Sequence, residues 1–334
     1  MESNFHITPY LRSLLAQNPP RLAFSATTHA AWQRWRQTLR DKLYHLLAPW
    51  PASAPIRAQT RAILDAGSHW REEINLSSEG HPDISGYLLR PKEEAGTRPA
   101  ILALHGHGPG KAEVAGLEPG DAQQPYGLQM VEAGYVVFSF DFFPFGTRKE
   151  TEHNAFDGFE YACNSTLIRT LLYGYNLLTL NLFDVFRSLD YVSSRSEVDP
   201  QRIGVMGSSY GGTASMYAAI LDTRFKAAVL SCSLGDYRGH GIELDELCGV
   251  QVVPGILQWA EMGDVAGLLA PLPLLVESAR GDRFFPWAYT EPTLARLREV
   301  YNVAGAANCL QVNIFDGGHR YYGDGVIEFW NRYL

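Results

Sequence analysis

What most restricts the fold of this chain is an alternation of two hydrophobic periods. Short apolar runs recur at residues 100–104, 136–140, 203–206, 227–231, 274–277 and 309–315. Their length and β-branched content suit strands buried on both faces of a parallel sheet. Helical patterns lie between and after them, at 124–133, 167–192, 212–221, 289–304 and 325–333. Residues 73–77 and 84–90 read as two further strands, joined through Gly80, His81 and Pro82. Strand and helix in alternation predict an α/β fold: a three-layer sandwich around one mostly parallel sheet.

Residues 1–70 lack this rhythm. The stretch 28–47 places Trp32, Trp35, Leu39, Leu43, Leu46 and Leu47 at helical spacing, and Pro49, Pro51 and Pro55 end it. Residues 57–64 read as a further short helix. We therefore expect a helical N-terminal extension over 1–70 and a main domain over 71–334. The extension is either a structural cap, or a wall of the active site or subunit contact; an exposed Trp/Leu face on 28–47 would favour a homodimer. Two connections, 142–166 and 234–273, are too long for simple crossovers. Both are expected at the C-terminal edge of the sheet, the second as a lid-like insertion.

Composition narrows the partners. Of 334 residues, 46% are hydrophobic and 19% charged, which excludes a disordered chain. A net charge of −8 argues against nucleic acid. The longest apolar stretch, 171–186, is interrupted by Asn176, Asn181 and Asp184, so no membrane span is expected. Cys163, Cys232, Cys248 and Cys309 are scattered and form no CxxC pair. That pattern, with no visible secretory signal, suggests a reducing, cytoplasmic setting.

The chemistry concentrates in one pentapeptide. Gly207-Ser208-Ser209-Tyr210-Gly211 fits G-x-S-x-G, a pattern that small-residue turns also produce by chance. Here it follows an apolar strand and opens a helix, the setting of a nucleophile elbow. A serine hydroxyl needs a base, and the base an orienting acid. His319, in Phe315-Asp316-Gly317-Gly318-His319, follows the last strand, and Asp282 follows the strand 274–277. Asp316 and Asp236 are the rival acids. For an oxyanion, the backbone N–H of Tyr210 is one candidate donor and that of His107, in the loop His105-Gly106-His107-Gly108-Pro109-Gly110, the second. His105 is expected to brace that loop. No third ligand at motif spacing makes His105 and His107 a metal pair. Ala112 after Gly110-Lys111 departs from a phosphate-binding loop. No metal and no cofactor are expected. Phe142, Phe143, Phe284 and Trp287 are expected either to line an apolar substrate pocket or to fill the core beneath it. Glu113, Asp141, Arg148 and Arg283 receive no role from spacing.

Over about residues 70–334 the chain resembles α/β-hydrolases of the dienelactone-hydrolase-like and bacterial acetyl xylan esterase-like type. The resemblance lies in Leu104-His105-Gly106-His107-Gly108, Tyr135-Val136-Val137 leading to Asp141, Val198-Asp199-Pro200-Gln201-Arg202-Ile203-Gly204, the elbow, and Phe315 through Arg320. It implies an α/β-hydrolase fold and a serine esterase or deacetylase without metal or organic cofactor. It carries over Ser209, Asp282 and His319 as the triad and the Tyr210 and His107 N–H groups as the oxyanion hole. Dienelactone hydrolases proper have a cysteine where this chain has Ser209, which points away from dienelactones. The expected reaction is hydrolysis of short acyl esters, acetyl above all, of a small alcohol or sugar. An amidase, a carbon–carbon bond hydrolase and a noncatalytic binding protein on the same fold remain open alternatives.

Overall fold

The computed structural model describes residues 5–93, 96–118, 124–150, 159–244 and 246–334. Nine strands form one sheet: β1 Arg57–Asp65, β2 His69–Ser78, β3 His81–Pro91, β4 Arg98–Leu104, β5 Val136–Phe140, β6 Val198–Ser208, β7 Phe225–Ser231, β8 Leu274–Ala279 and β9 Leu310–Phe315. Their spatial order is β1-β2-β3-β5-β4-β6-β7-β8-β9. The first three strands pair antiparallel with one another, and β3 pairs antiparallel with β5. From β5 to β9 every pairing is parallel. The α/β-hydrolase fold expected from the chain pattern is the one observed.

Side chains alternate across the parallel strands and so build two cores. On one face Leu102, Leu104, Val205, Leu230 and Val276 meet helices α2 His29–Leu46, α6 Leu177–Ser193, α7 Tyr210–Leu221, α8 Met262–Gly267 and α9 Trp287–Val303. On the other, Ile101, Ala103, Met206, Val229 and Leu275 meet α4 Tyr126–Glu132 and α10 Val326–Tyr333. The remaining helices are α1 Ile7–Gln17, the short α3 Lys111–Val114 and α5 Phe159–Leu172. No described helix is long and apolar enough to cross a membrane.

Helix α2 matches its expected span. Thr28 caps it by accepting from the Ala31 N–H, and Trp32, Leu39 and Leu43 are buried in the main core. Thr179 donates to the Leu47 carbonyl at 2.6 Å, so the Leu face of this helix is covered by the chain itself.

Three expectations need correction. Residues 57–64 form an edge strand, not a helix. β1 is mostly exposed and carries no buried face, so it leaves no hydrophobic period to read. Its pairing with β2 is set by the turn, where the Gly67 N–H donates to Asp65 Oδ1 at 2.9 Å and Gly67 sits at φ +84°. Residues 57–65 thus belong to the sheet rather than to a helical extension. The helix expected over 167–192 is two helices. Gly174, at φ +89°, ends α5, and Asn176 caps α6 by accepting from the Leu178 N–H. Finally, the expected loop 142–166 becomes helical at Phe159; its segment 151–158 lies outside the described residues. The insertion 234–273 is built from a π-helical turn at Gly239–Glu243, a 3-10 turn at Ile256–Gln258 and α8.

The turn from β6 to α7 leaves no room for a side chain at its glycines. A Cβ on Gly211 would stand 1.9 Å from the Leu104 carbonyl oxygen, and one on Gly207 would stand 2.3 Å from the Gly211 backbone. Only hydrogen fits at either position, because the obstacles are backbone atoms. Gly211→Ala should therefore cost about 1–3 kcal/mol or more. Gly318→Ala is the control, since its Cβ would enter open space. Urea unfolding checks this; equal midpoints for the two variants would contradict it.

Candidate active site

Ser209 stands between β6 and α7 with φ 57° and ψ −126°. A non-glycine residue in that region carries strain of order 1–3 kcal/mol. It is held there on both sides: its N–H donates to the Ser231 carbonyl at 2.9 Å, and its carbonyl accepts from the Thr213 N–H at 3.1 Å. This is the elbow geometry that the motif predicts. The side chain of Tyr210 is fully buried, its hydroxyl accepting from Asn181 Nδ2 at 2.8 Å. Its backbone N–H belongs to the first turn of α7, where no intrahelical acceptor is available.

Parallel register aligns the strand ends around this turn. Leu104 on β4 is level with Gly207, Ser208 with Ser231 on β7, and Ser231 with Glu277 on β8. The loops after β8 and β9 carry Asp282 and His319. They are joined by backbone bonds from Gly281 N–H to the Gly317 carbonyl and from Arg280 N–H to the Phe315 carbonyl. His319 Nδ1 lies 2.8 Å from Asp282 Oδ2. Asp282 Oδ1 accepts from the N–H groups of Phe284 and Phe285 at 2.9 and 3.0 Å. Burial pushes the Asp282 carboxyl up, but the hydrogen bond and charge of His319 and the two backbone donors outweigh it and hold it below the usual range. An ionised carboxylate only accepts, so Nδ1 carries the proton and Nε2 is left as the basic nitrogen.

The imidazole reaches back across the sheet. A His319 ring nitrogen, an Asp282 oxygen and Cys232 Sγ lie within 4.8 Å of one another. Cys232 directly follows Ser231, the residue that holds the Ser209 N–H. The rival acids are placed elsewhere. Asp316 is 96% exposed at its side chain and faces Arg280, while Asp236 accepts from the Gly239 N–H at the π-helical turn.

The loop after β4 is braced as expected at His105. Nε2 accepts from the Phe142 N–H at 2.9 Å, and Nδ1 donates to the Gly106 carbonyl at 2.7 Å. Complete burial lowers its pKa to about 4, so it is neutral and works as a spacer between two loops. His107 lies with Nε2 3.0 Å from Cys248 Sγ. Lys111 is tied to Asp141 through both its ammonium and its backbone N–H, and Asp141 also accepts from the Thr147 N–H and hydroxyl. Asp141 is thus a clasp between the loops after β4 and β5, a role spacing does not reveal. Phe142 is fully buried between His105 and Tyr210, so of its two readings the core one holds. Phe143 packs under Arg148 and lines a cavity of about 390 Å³ with His81 and Tyr175. Phe284 meets the His319 ring edge-on at 5.0 Å, and Trp287 opens α9 beneath Arg280.

Sequence reasoning missed two supports. Glu277, fully buried, accepts from the Gly323 N–H at 2.8 Å and the Tyr322 N–H at 3.3 Å and so fixes the segment after His319. His240 stacks on Phe285 at 4.4 Å, and Phe285 stacks on His319 at 5.8 Å. Among the described residues two groups have metal-ligating atoms in reach of one another: Cys232, Asp282 and His319, and, separately, His107, Cys163 and Cys248.

Burial lowers the His240 pKa to about 4. The folded chain refuses a proton that the unfolded chain accepts near the ordinary value of about 6.5. Between those values the unfolded state binds more protons, so His240 lowers stability as pH falls through that window. His240→Phe should flatten the fall in urea midpoint from neutral pH to about 4. An unchanged slope would contradict this.

Comparison with known proteins fits the geometry. The family profile described as acetyl xylan esterase (AXE1) matches residues 73–245, which include the loop after β4 and the elbow. A Bacillus subtilis (strain 168) protein described as "Putative hydrolase YtaP" is 30% identical over 295 residues, covering 85% of this chain and 94% of that protein. A solved Bacteroides fragilis NCTC 9343 structure, described as a "putative acetyl xylan esterase", superposes with TM-score 0.78 at 18% identity, over 94% of this chain and 82% of that one. A glucuronoyl esterase from Solibacter usitatus gives 0.68 at 17% identity, over 94% and 97%. The chain belongs to the acetyl xylan esterase (AXE1) family of ester-hydrolysing enzymes.

Proposed function

We propose that this enzyme is a serine carboxylesterase that removes short acyl groups, acetyl above all, from a sugar or small alcohol, with Ser209, His319 and Asp282 as its triad. The observation that carries this reading is the position of the His319 imidazole. It is oriented by Asp282 and lies over the end of β7, one strand from the strained serine.

In this mechanism Ser209 Oγ attacks the ester carbonyl while His319 Nε2 takes its proton. Asp282 keeps the tautomer and stabilises the imidazolium. The negative charge on the former carbonyl oxygen is met by the backbone N–H groups of Tyr210 and His107. His319 then returns the proton to the departing alcohol oxygen, leaving an acyl-enzyme. Water, deprotonated by the same nitrogen, attacks the acyl carbon; the carbon–Oγ bond breaks, the acid leaves and His319 returns the proton to Ser209 Oγ. Phe284 and Trp287 are the candidate walls for the acyl or sugar portion. The family supports the acetyl group and the sugar.

The test is hydrolysis of p-nitrophenyl acetate, butyrate and octanoate, with p-nitroacetanilide as the amide counterpart and an acetylated xyloside as the sugar ester. Wild type should favour acetate over octanoate and ester over amide, and should deacetylate the xyloside. Ser209→Ala should lower kcat by about 10³-fold or more with an unchanged fold. Asp282→Asn should lower kcat by about 10²–10⁴-fold with little change in KM. Equal turnover by Ser209→Ala, or a preference for octanoate or the anilide, would overturn the reading.

A further inference from the structure

His107, Cys163 and Cys248 are far apart in sequence and belong to three segments. His107 is in the loop after β4, Cys163 is on α5, and Cys248 is in the insertion 234–273. The fold brings one ligand atom from each within 4.8 Å of the other two. Both cysteines are buried. The approach is fixed by backbone. The Gly249 N–H donates to Asn164 Oδ1 at 2.8 Å, and a Cβ on Gly249 would stand 2.5 Å from the Cys163 carbonyl oxygen. The plane of the His107 ring is set by edge contacts with Phe145 at 5.3 Å and Tyr210 at 5.9 Å.

We propose that His107, Cys163 and Cys248 form a Cys2His site for a single thiophilic metal ion of the Zn2+ class. Two thiolates and one imidazole are the soft and borderline donors that such ions prefer over oxygen ligands. Zinc bonds of about 2.3 Å to sulfur and about 2.0–2.1 Å to nitrogen put tetrahedral ligand atoms roughly 3.5–3.8 Å apart. His107 Nε2 and Cys248 Sγ are 3.0 Å apart, and all three ligand atoms lie within 4.8 Å of one another, so small side-chain shifts suffice to reach that range. Binding releases the thiol protons to solvent, and His107 ligates through neutral Nε2. Cys248 Sγ also has a polar neighbour in Gln251 Oε1 at 3.7 Å, and the other group, Cys232, Asp282 and His319, contains the proposed triad partners of Ser209. There Asp282 holds His319 Nδ1, and the Cys232 thiol donates to the Arg320 carbonyl at 3.2 Å. A bound ion would pin the insertion and α5 to the loop after β4. A disulfide between Cys163 and Cys248 would use two of these atoms and needs no imidazole; the three-atom grouping favours the ion.

The test uses the untagged full chain under reduction and does not involve ester hydrolysis. Co2+ titration should give a thiolate-to-cobalt charge-transfer band and tetrahedral ligand-field absorption that saturate at one ion per chain and disappear on adding Zn2+. Cys163→Ser and Cys248→Ser should each weaken binding by ~10-fold or more, and Cys309→Ser should not. Thermal unfolding guards against misfolding: Zn2+ should raise the Tm of wild type and of Cys309→Ser, and should raise that of the folded Cys163→Ser and Cys248→Ser variants by clearly less. Absence of the charge-transfer band overturns the site, as does undiminished binding in the Cys163→Ser/Cys248→Ser double variant. So does recovery of a Cys163–Cys248 disulfide from protein prepared without reductant, if the reduced form takes up no metal.

Discussion

The contact on which the rest depends is backbone against backbone, where the β6–α7 turn crosses the end of β4. Gly211 passes so close to the Leu104 carbonyl that a methyl group would overlap it. The chain turns there at a single residue between β6 and α7, Ser209, which sits at a positive φ. The strain is local and is offset by the two central strands beside it, which bury both faces of the sheet. A looser turn would cost less but would let the serine move.

Around this fixed point, electrostatics arranges the remaining groups. Asp282 stays ionised in a buried setting because three donors converge on it. That charge selects the tautomer of His319. A second buried carboxylate, Asp141, performs a mechanical task by clasping Lys111 and Thr147 across two loops. Removing one partner of such a pair generally costs about 3–5 kcal/mol, and the clasp keeps the loop that carries His107 level with the elbow. The neutral His105 fills the gap between those loops without adding charge.

Much of this was legible in the sequence, for physical reasons that also explain the failures. Strands buried on both faces must be apolar throughout, so β4 through β8 stand out as runs, while β9, at the far edge with only Phe315 buried, shows alternation of apolar and polar residues. β1 is an exposed edge and shows no period, and only the Asp65–Gly67 turn marked it. Ser209 and its glycines were readable because strain and close approach restrict residue type at adjacent positions. That Asp282 and His319 would stand on neighbouring loops was readable from their places after strands, and they are paired there. The roles of Asp141, Glu277 and His240 depend on contacts between loops, which no local spacing encodes. The same holds for His107, Cys163 and Cys248: no local spacing joins these residues, and the topology alone brings them together.

The central claim is that Ser209 is the group that becomes acylated and that His319 makes it reactive. The most direct measurement is labelling of the folded chain with a fluorophosphonate, followed by intact-mass analysis and peptide mapping. The account predicts one adduct per chain, located on Ser209, and a strongly reduced labelling rate in His319→Ala with the adduct still on Ser209. An adduct on another residue, or labelling that is unaffected by the loss of His319, would contradict it.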